Sequence, residues 1–299
     1  MSAIWFDPAT SDDDRRAALY QGDLVVYSPT APSAALCAFA RELIEEAFHP
    51  LNPEHAQFEM NVQSYAALLA DLKPKFIHHS ESKRLIKDIL CGLGCDATST
   101  YFDVPRLRTS TSHNYLTTGI AYAFHPHRDT WYSAPMCQIN YWMPVYDVSP
   151  DNIMAFHPRY WSVPLRNSSS KYDYQRWNAT SRFNAAQQIG TDVREQPKAL
   201  ESVECNPDIR LVTPIGGLQM FSAAQLHSSL PNESGRTRFS IDFRVVNIDD
   251  AAACRGAPNI DSFCTGTAIG DFLRVSDLAT VDPAIVQRYL PGHPQKPPS

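Results

Sequence analysis

The hydrophobic period changes near residue 98, and this change limits the fold more than any other feature of the sequence. Before it, apolar residues recur at three- and four-residue spacing. Between Ser33 and Phe48, the residues Leu36, Phe39, Ala40, Leu43, Ile44 and Ala47 share one face, with Ser33 as N-cap and Pro50 as terminator. Two further helices are expected over Met60–Leu72 and Ser80–Leu93, with core-facing stripes at Leu68, Leu69, Leu72 and at Leu85, Ile86, Ile89, Leu90. Asp23–Tyr27 predicts a short strand, and residues 1–22 are polar, acidic and expected to be peripheral. After residue 98 the texture becomes β-branched and aromatic. Strands are expected within Thr98–Thr111 and over Gly119–Phe124, Met136–Val148, Ile153–Phe156, Arg210–Pro214, Leu218–Phe221 and Thr237–Ile248. Short strands divided by Pro, Gly, Asn and Asp point to a sandwich or jelly roll, with the N-terminal helices covering one outer face.

The β-texture lapses between Tyr160 and Pro207. A connection of that length inside a β-domain is usually functional or disordered. Tyr172, Tyr174, Trp177 and Phe183, within a helix-like stretch from Tyr172 to Ile189, favour an ordered lid or substrate-binding insertion. The tail, Gly292–Ser299, is expected to be loose.

A net charge near −6 over 299 residues argues against nucleic acid as the main partner. No apolar run approaches the length of a membrane span, and the N-terminus has no signal-peptide pattern, so a cytoplasmic protein is expected. The seven cysteines are scattered, which suits reduced, mostly packed thiols such as Cys137 and leaves no second close pair for a cysteine-ligated zinc.

The chemistry-bearing candidates lie in the β-region. His127 and Asp129, two residues apart, would share a strand face. A lone His-x-Asp is close to what chance supplies, but His227 follows a strand and precedes a turn much later in the chain. Two imidazoles and one carboxylate form a facial triad that suits iron and leaves positions open. Along Arg236–Val246 the alternation is clean. Phe239, Ile241, Phe243 and Val245 face one way, and Arg238, Ser240, Asp242 and Arg244 face the other. An ordinary exposed face carries mixed charge too, yet Arg238 with Ser240 also supplies what a buried carboxylate needs. Gln138, Asn140 and Trp142 share a strand face and either line a cavity or fill a barrel core. Arg244 either grips a substrate carboxylate or forms a salt bridge with Asp242. His125 is a neighbour of the metal position, suited to hydrogen bonding rather than to ligation. Trp131 is a candidate substrate wall. His113, His157 and the pair His78-His79 read as ordinary surface or core histidines.

His127-x-Asp129, then His227, Asn232 and Arg238-x-Ser240, in that order, resemble the iron(II)/2-oxoglutarate-dependent dioxygenases, in particular the phytanoyl-CoA dioxygenase-like branch. Ile153–Pro158 sits where that family has a Pro-Gly-Ser-His strand, and here Gly-Ser is absent. The resemblance implies a mainly β fold with flanking α-helices and a double-stranded β-helix (jelly-roll, cupin-like) core. It implies one dioxygenase domain over 1–299: an N-terminal strand and helices over 1–97, a core over 98–250 with a lid over 160–208, and a C-terminal extension over 251–299. It also implies Fe(II) on His127, Asp129 and His227. The co-substrate 2-oxoglutarate would be held through Arg238 and Ser240, with Gln138 beside it. O2 would be consumed, with release of succinate and carbon dioxide and attack on a substrate C–H bond. Because Asp129 is retained where halogenases of this family have Gly or Ala, hydroxylation, desaturation or ring closure is expected. Trp131, Asn140, Trp142 and Arg244 would meet the substrate, a small polar metabolite. The run from His125 to Trp161 is similar to a group of secondary-metabolism oxygenases that includes amino-acid-modifying enzymes. That likeness singles out Ile241 and Phe243, although their parity points them away from the cavity unless the strand is bulged. A metal-dependent cupin that does not use 2-oxoglutarate, and a non-catalytic jelly-roll binding module, remain alternatives.

Overall fold

The computed structural model describes residues 2–290 apart from Phe124. The expected loose tail, Gly292–Ser299, lies outside the described residues. In chain order the elements begin with β1 (Ile4–Phe6), α1 (Asp12–Tyr20), β2 (Leu24–Tyr27) and α2 (Ala31–Phe48). They continue with α3 (Val62–His78), α4 (Ser80–Gly92), β3 (Thr100–Phe102), β4 (Arg106–Ser110), β5 (Ile139–Pro144) and β6 (Met154–Phe156). Next come α5 (Tyr174–Thr180), β7 (Leu218–Ser222), β8 (His227–Ser229) and β9 (Arg238–Asn247). The series closes with α6 (Ile248–Ala252), β10 (Leu273–Arg274) and α7 (Pro283–Gln287).

Eight strands form a mixed sheet in the order β1-β2-β7-β5-β9-β3-β10, with β4 also on β9. A two-stranded sheet, β6 with β8, lies against it, and Phe156, Met154, Trp142 and Phe221 fill the space between. The protein is thus sheet-rich with flanking helices, and its second sheet is smaller than a full jelly roll would supply.

β9 organises the large sheet because both of its edges are paired. Arg244, Asp242 and Ser240 stand opposite Asn140, Trp142 and Pro144 of β5. On the other edge Asp242, Ser240 and Arg238 stand opposite Arg106, Arg108 and Ser110 of β4. Directly opposed residues share a face, so these registers gather the polar side chains on one side. The other side carries Phe239, Ile241 and Phe243, all fully buried, against α2 and α3. Phe48 of α2 meets Phe239 edge-on at 5.8 Å, and Tyr141 stacks on Phe243 at 4.8 Å. Burying each such side chain contributes roughly 1.5–3 kcal/mol. Ile241 and Phe243 therefore hold the helix layer and do not face the cavity.

The helices follow their sequence signals closely. Thr30, not Ser33, caps α2; Ser33 is the third helical residue and reciprocates the cap as a capping box. Asn61 caps α3, which runs past Leu72 to His78 with Pro74 inside it. The stretch 1–22 is less peripheral than expected. Arg15 and Arg16 are buried, and Arg16 pairs with Asp12, Asp13 and Asp250, tying α1 to the start of α6.

Four expected strands differ. Thr98–Thr111 is split at Pro105 into β3 and β4, because proline cannot donate to the ladder. Gly119–Ala121 forms a 3-10 turn instead of a strand. Gly119 has φ +61°, and a Cβ there would lie 2.3 Å from the Ala185 carbonyl oxygen, so only glycine lets the two segments meet. Arg210–Pro214 is irregular, and the Leu211 carbonyl is taken by the Gln219 side chain rather than by a neighbouring strand. The Met136–Val148 strand shortens to β5, because Pro135–Gln138 turns before it. The helix expected over Tyr172–Ile189 resolves into α5 and a 3-10 turn over Arg182–Gln187. All seven cysteines are free, and Cys137 is buried. No helix among the described residues is long and apolar enough to cross a membrane.

Candidate metal centre and cavity

The centre is built by one short backbone pairing. His127 and His227 exchange both N–H···O bonds at 3.0 Å, which brings their rings to 4.3 Å. Immediately after His127 the chain turns: Asp129 opens a 3-10 turn that runs to Tyr132. The expected strand geometry for His-x-Asp is therefore replaced by a bridge followed by a turn. The result is still convergence, with one ligand atom from each of His127, Asp129 and His227 within 4.8 Å of the others.

Hydrogen bonds set the tautomers. His127 Nδ1 lies 2.8 Å from the His125 carbonyl oxygen, and His227 Nδ1 lies 3.0 Å from that of Gln225. A carbonyl only accepts, so each Nδ1 carries the proton and each Nε2 presents its lone pair. Both Nε2 atoms face Asp129 Oδ1, at 3.4 Å and 4.0 Å. His125 serves through its backbone; its side chain is exposed. Burial raises the Asp129 carboxyl, but its contacts with His127, His227 and Asn140 outweigh it and hold it at about 2. Burial, then the His127 charge, pushes His227 down to about 4. The set, one carboxylate and two imidazoles, largely buried and convergent, is the donor chemistry of a borderline divalent metal such as iron.

The three ligands open onto a cavity of about 500 Å³. Gln138, Asn140 and Trp142 all line it. They do not act alike: Asn140 Nδ2 donates to Asp129 Oδ2 at 2.8 Å, and Gln138 Nε2 donates to Asn140 Oδ1 at 2.9 Å. Gln138, grouped with the co-substrate by the sequence, is thus placed in a chain that ends on the metal ligand. Arg238 lines the cavity over the Trp142 ring, at 5.7 Å. Its Nη1 donates to the Asn152 carbonyl at 2.7 Å, while its Nε is buried without a partner among the described residues. The Ser240 hydroxyl, on the same strand face, is also buried and unpartnered. Two orphaned donors side by side fit a carboxylate, since an unsatisfied buried donor is costly. Burial and the nearby Arg108 charge lower Arg238 to about 10. Asn232 does not reach the site; its Nδ2 bonds the Ser110 and Arg236 carbonyls and shapes the turn before β9.

Trp131 is not a substrate wall. It is fully buried away from the cavity, packs with Tyr160, Leu165 and Leu226, and donates Nε1 to Asp261 at 2.8 Å. Its neighbour Tyr132 takes that place, lying edge-on to His127 at 5.5 Å. Arg244 faces three carboxylates: Asp103 at 3.1 Å, Asp242 at 3.5 Å and Asp129 at 3.9 Å. His157 is fully buried and bonded to Ser228 at 2.9 Å, and His113 is exposed. His78 is exposed, and it reaches the cavity rim.

Sequence reasoning missed Lys73, Asp103, Arg106 and Arg108, all of which line the cavity. The signal was available for two of them: Arg106 and Arg108 alternate around Leu107 on a β-strand, as Arg238 and Ser240 do around Phe239. Segment 160–208 contributes Tyr172, Tyr174, Trp177 and Arg182 to the cavity, and the segment after residue 250 contributes Asp271 and Phe272. The Tyr174 hydroxyl (2.5 Å) and Arg182 (3.0 Å) both bond Asp271, which docks these two parts together.

No protein-family model matches the chain, and no curated protein matches its sequence. Among solved structures it is similar to EvdO2 from Micromonospora carbonacea var. aurantiaca. That comparison has 12% identity and a TM-score of 0.46, covering 83% of this chain and 94% of that one. The same protein complexed with 2-oxoglutarate gives a TM-score of 0.46 at 12% identity, covering 80% and 92%. The epimerase SnoN in complex with Fe3+, alpha ketoglutarate and nogalamycin RO gives a TM-score of 0.40 at 15% identity, covering 78% and 83%. These are distant similarities, and what the chain does is read from its own side chains.

Proposed function

We propose that the chain is a non-haem iron(II)- and 2-oxoglutarate-dependent oxygenase of the phytanoyl-CoA dioxygenase-like branch, acting on a C–H bond of a small polar metabolite. The observation that carries this is the convergence of His127, Asp129 and His227 within 4.8 Å at the wall of a cavity that also holds the orphaned Arg238 Nε. When bound, iron(II) with 2-oxoglutarate and O2 supplies the oxidising chemistry that an unactivated C–H bond requires.

The residues of the chain do the positioning. His127 and His227 present fixed Nε2 donors, and Asn140 holds Asp129 so that Oδ1 faces them. Arg238 Nε and the Ser240 hydroxyl offer two unsatisfied donors to a terminal carboxylate, which would relieve their buried polarity. Trp142 walls the cavity beneath Arg238, and Tyr132 walls it beside His127. The segment from 160 to 208 lines the same cavity with Tyr172, Tyr174 and Trp177, as a lid would. Retention of a carboxylate at Asp129 fits hydroxylation, desaturation or oxidative cyclisation.

The test is an anaerobic titration with iron(II) and then 2-oxoglutarate. A weak visible charge-transfer band is expected, together with succinate release in air, and His227→Ala should lose both. Iron uptake without that band would remove the co-substrate and leave a metal-dependent cupin enzyme. Failure to take up iron would leave a binding module.

A further inference from the structure

Resting on the oxygenase assignment, we propose that the substrate carries an oxyanion, a carboxylate or a phosphate, held by Arg106 and its strand neighbour Arg108, with its apolar body against the aromatic lid.

The cavity wall around β4, β9 and α3 is rich in charge. Arg106, Arg108, Arg238 and Arg244 line it with Lys73, against Asp103, Asp242 and the nearby Asp129, so the guanidinium groups alone outnumber the carboxylates by one. Loading the proposed cofactors does not correct this, because iron(II) and 2-oxoglutarate carry equal and opposite charge. On the lid side Arg182 is answered by Asp271 and Arg194 by Asp192, so the excess belongs to the sheet wall. Uncompensated charge in a partly buried cleft is unfavourable, and an anionic ligand relieves it.

Within this wall Arg106 has capacity to spare. Its Nη1 donates to Asp103, and it makes no other hydrogen bond among the described residues. Arg108, two residues along the same strand face, grips Asp242 with Nε and Nη2, at 2.5 Å and 3.2 Å. Arg106 is also near the chemistry. Asp103 links it to Arg244, whose Nε is 3.9 Å from Asp129 Oδ2. An anion on Arg106 is thus linked to the metal position through Asp103 and Arg244.

The opposite wall is apolar and aromatic. Tyr132 meets Tyr172 at 5.5 Å, and Tyr172 meets Trp177 at 5.9 Å, forming a ladder from His127 up into the lid. Tyr174 of the same lid lies close enough to interact with the Arg106 charge. A ligand with an anionic end and a flat or apolar body satisfies both walls; a neutral polar ligand satisfies neither. Lys73 agrees with this. Burial first, and the Arg108 charge second, lower it to about 7, so an arriving anion would restore its proton.

The probes are cinnamate, cinnamamide and phenyl phosphate, measured by calorimetry on protein loaded anaerobically with manganese(II) and 2-oxoglutarate. Cinnamate is expected to bind about tenfold or more tightly than cinnamamide, as a charge-assisted pair predicts. Arg106→Gln should remove that preference, and Arg106→Lys should restore part of it, which separates loss of charge from loss of fold. Phenyl phosphate tighter than cinnamate assigns the oxyanion as a phosphate, and the reverse assigns a carboxylate. Equal binding of cinnamate and cinnamamide, no binding of either anion, or a preference that survives Arg106→Gln overturns the proposal. If manganese(II) and 2-oxoglutarate fail to bind, the oxygenase assignment falls separately, and the anion preference is still read on the unloaded protein.

Discussion

Asn140 donates its Nδ2 hydrogen to Asp129 Oδ2 at 2.8 Å, while Asp129 Oδ1 alone faces the two histidine Nε2 atoms. The two carboxylate oxygens therefore have separate tasks. One is occupied by Asn140, with Arg244 Nε 3.9 Å away, and the other is left for a metal. Partners of this kind commonly change metal affinity by roughly 10–100-fold. Asn140→Ala is expected to weaken iron(II) binding by that amount in an anaerobic titration, with helix and sheet content unchanged by circular dichroism. An unaltered dissociation constant would show that Asn140 merely fills space.

Arg238 can be separated from the metal in the same way. Its Nε has no partner among the described residues, and its Nη1 is already committed to the Asn152 carbonyl. Arg238→Ala should leave iron(II) uptake intact while abolishing the visible band with 2-oxoglutarate. Arg238→Lys keeps the charge but not the fork, and should raise KM for 2-oxoglutarate by about tenfold or more with a smaller change in kcat. A band of full intensity in Arg238→Ala would assign the co-substrate carboxylate to another cation of the wall.

The parts of this fold that could be read in the sequence are those governed by local periodicity. The three helices after Pro29 and the strand face Arg238–Ser240–Asp242–Arg244 follow from spacing, because side-chain direction repeats with the backbone. The facial arrangement of His127, Asp129 and His227 was reached only through their order along the chain. The actual geometry, a His127–His227 bridge followed by a 3-10 turn, depends on pairing 100 residues apart, and no local pattern encodes it. Trp131 shows the converse error. A tryptophan two residues from a metal ligand reads as a substrate wall, yet a turn at Asp129 rotates it into a separate core beside Asp261. Arg106 and Arg108 were missed because the strand that carries them gains its meaning only from its register on β9.

That separate core yields a stability prediction. Asp261 is nearly fully buried and accepts from Arg128 Nε at 3.1 Å, Trp131 Nε1 at 2.8 Å and the Leu165 backbone N–H at 3.0 Å. Arg128, also buried, donates in addition to the carbonyls of Ala224, Tyr160 and Val163. One carboxylate thus ties the metal turn, the base of the lid and the C-terminal segment together. Removing one partner of a buried ion pair leaves an uncompensated charge and costs about 3–5 kcal/mol. Asp261→Ala is expected to lower the unfolding midpoint in denaturant accordingly, although residue 261 touches no ligand of the metal. A change within about 0.5 kcal/mol, typical of surface positions, would contradict this account.

Lys73 gives the pH dependence. Its ammonium donates to the Ile120 carbonyl, and burial followed by the Arg108 charge lowers it to about 7, against the opposing charge of Asp242. The unfolded chain holds the same group near its ordinary 10.5. Between those values the unfolded state binds more protons than the folded state, so this residue makes stability rise with pH. Its destabilising effect is fully present below pH 7 and disappears as the pH approaches 10.5. Lys73→Met keeps the length of the stem and removes the charge. The variant should melt above the wild type at pH 6, and the difference should shrink as the pH is raised from 7 to 10. Parallel melting curves across that window would show that Lys73 keeps its proton in the folded protein. The result also bears on the anion site: with cinnamate bound, a restored Lys73 proton should move the onset of this pH dependence upward in the wild type and leave Lys73→Met unmoved.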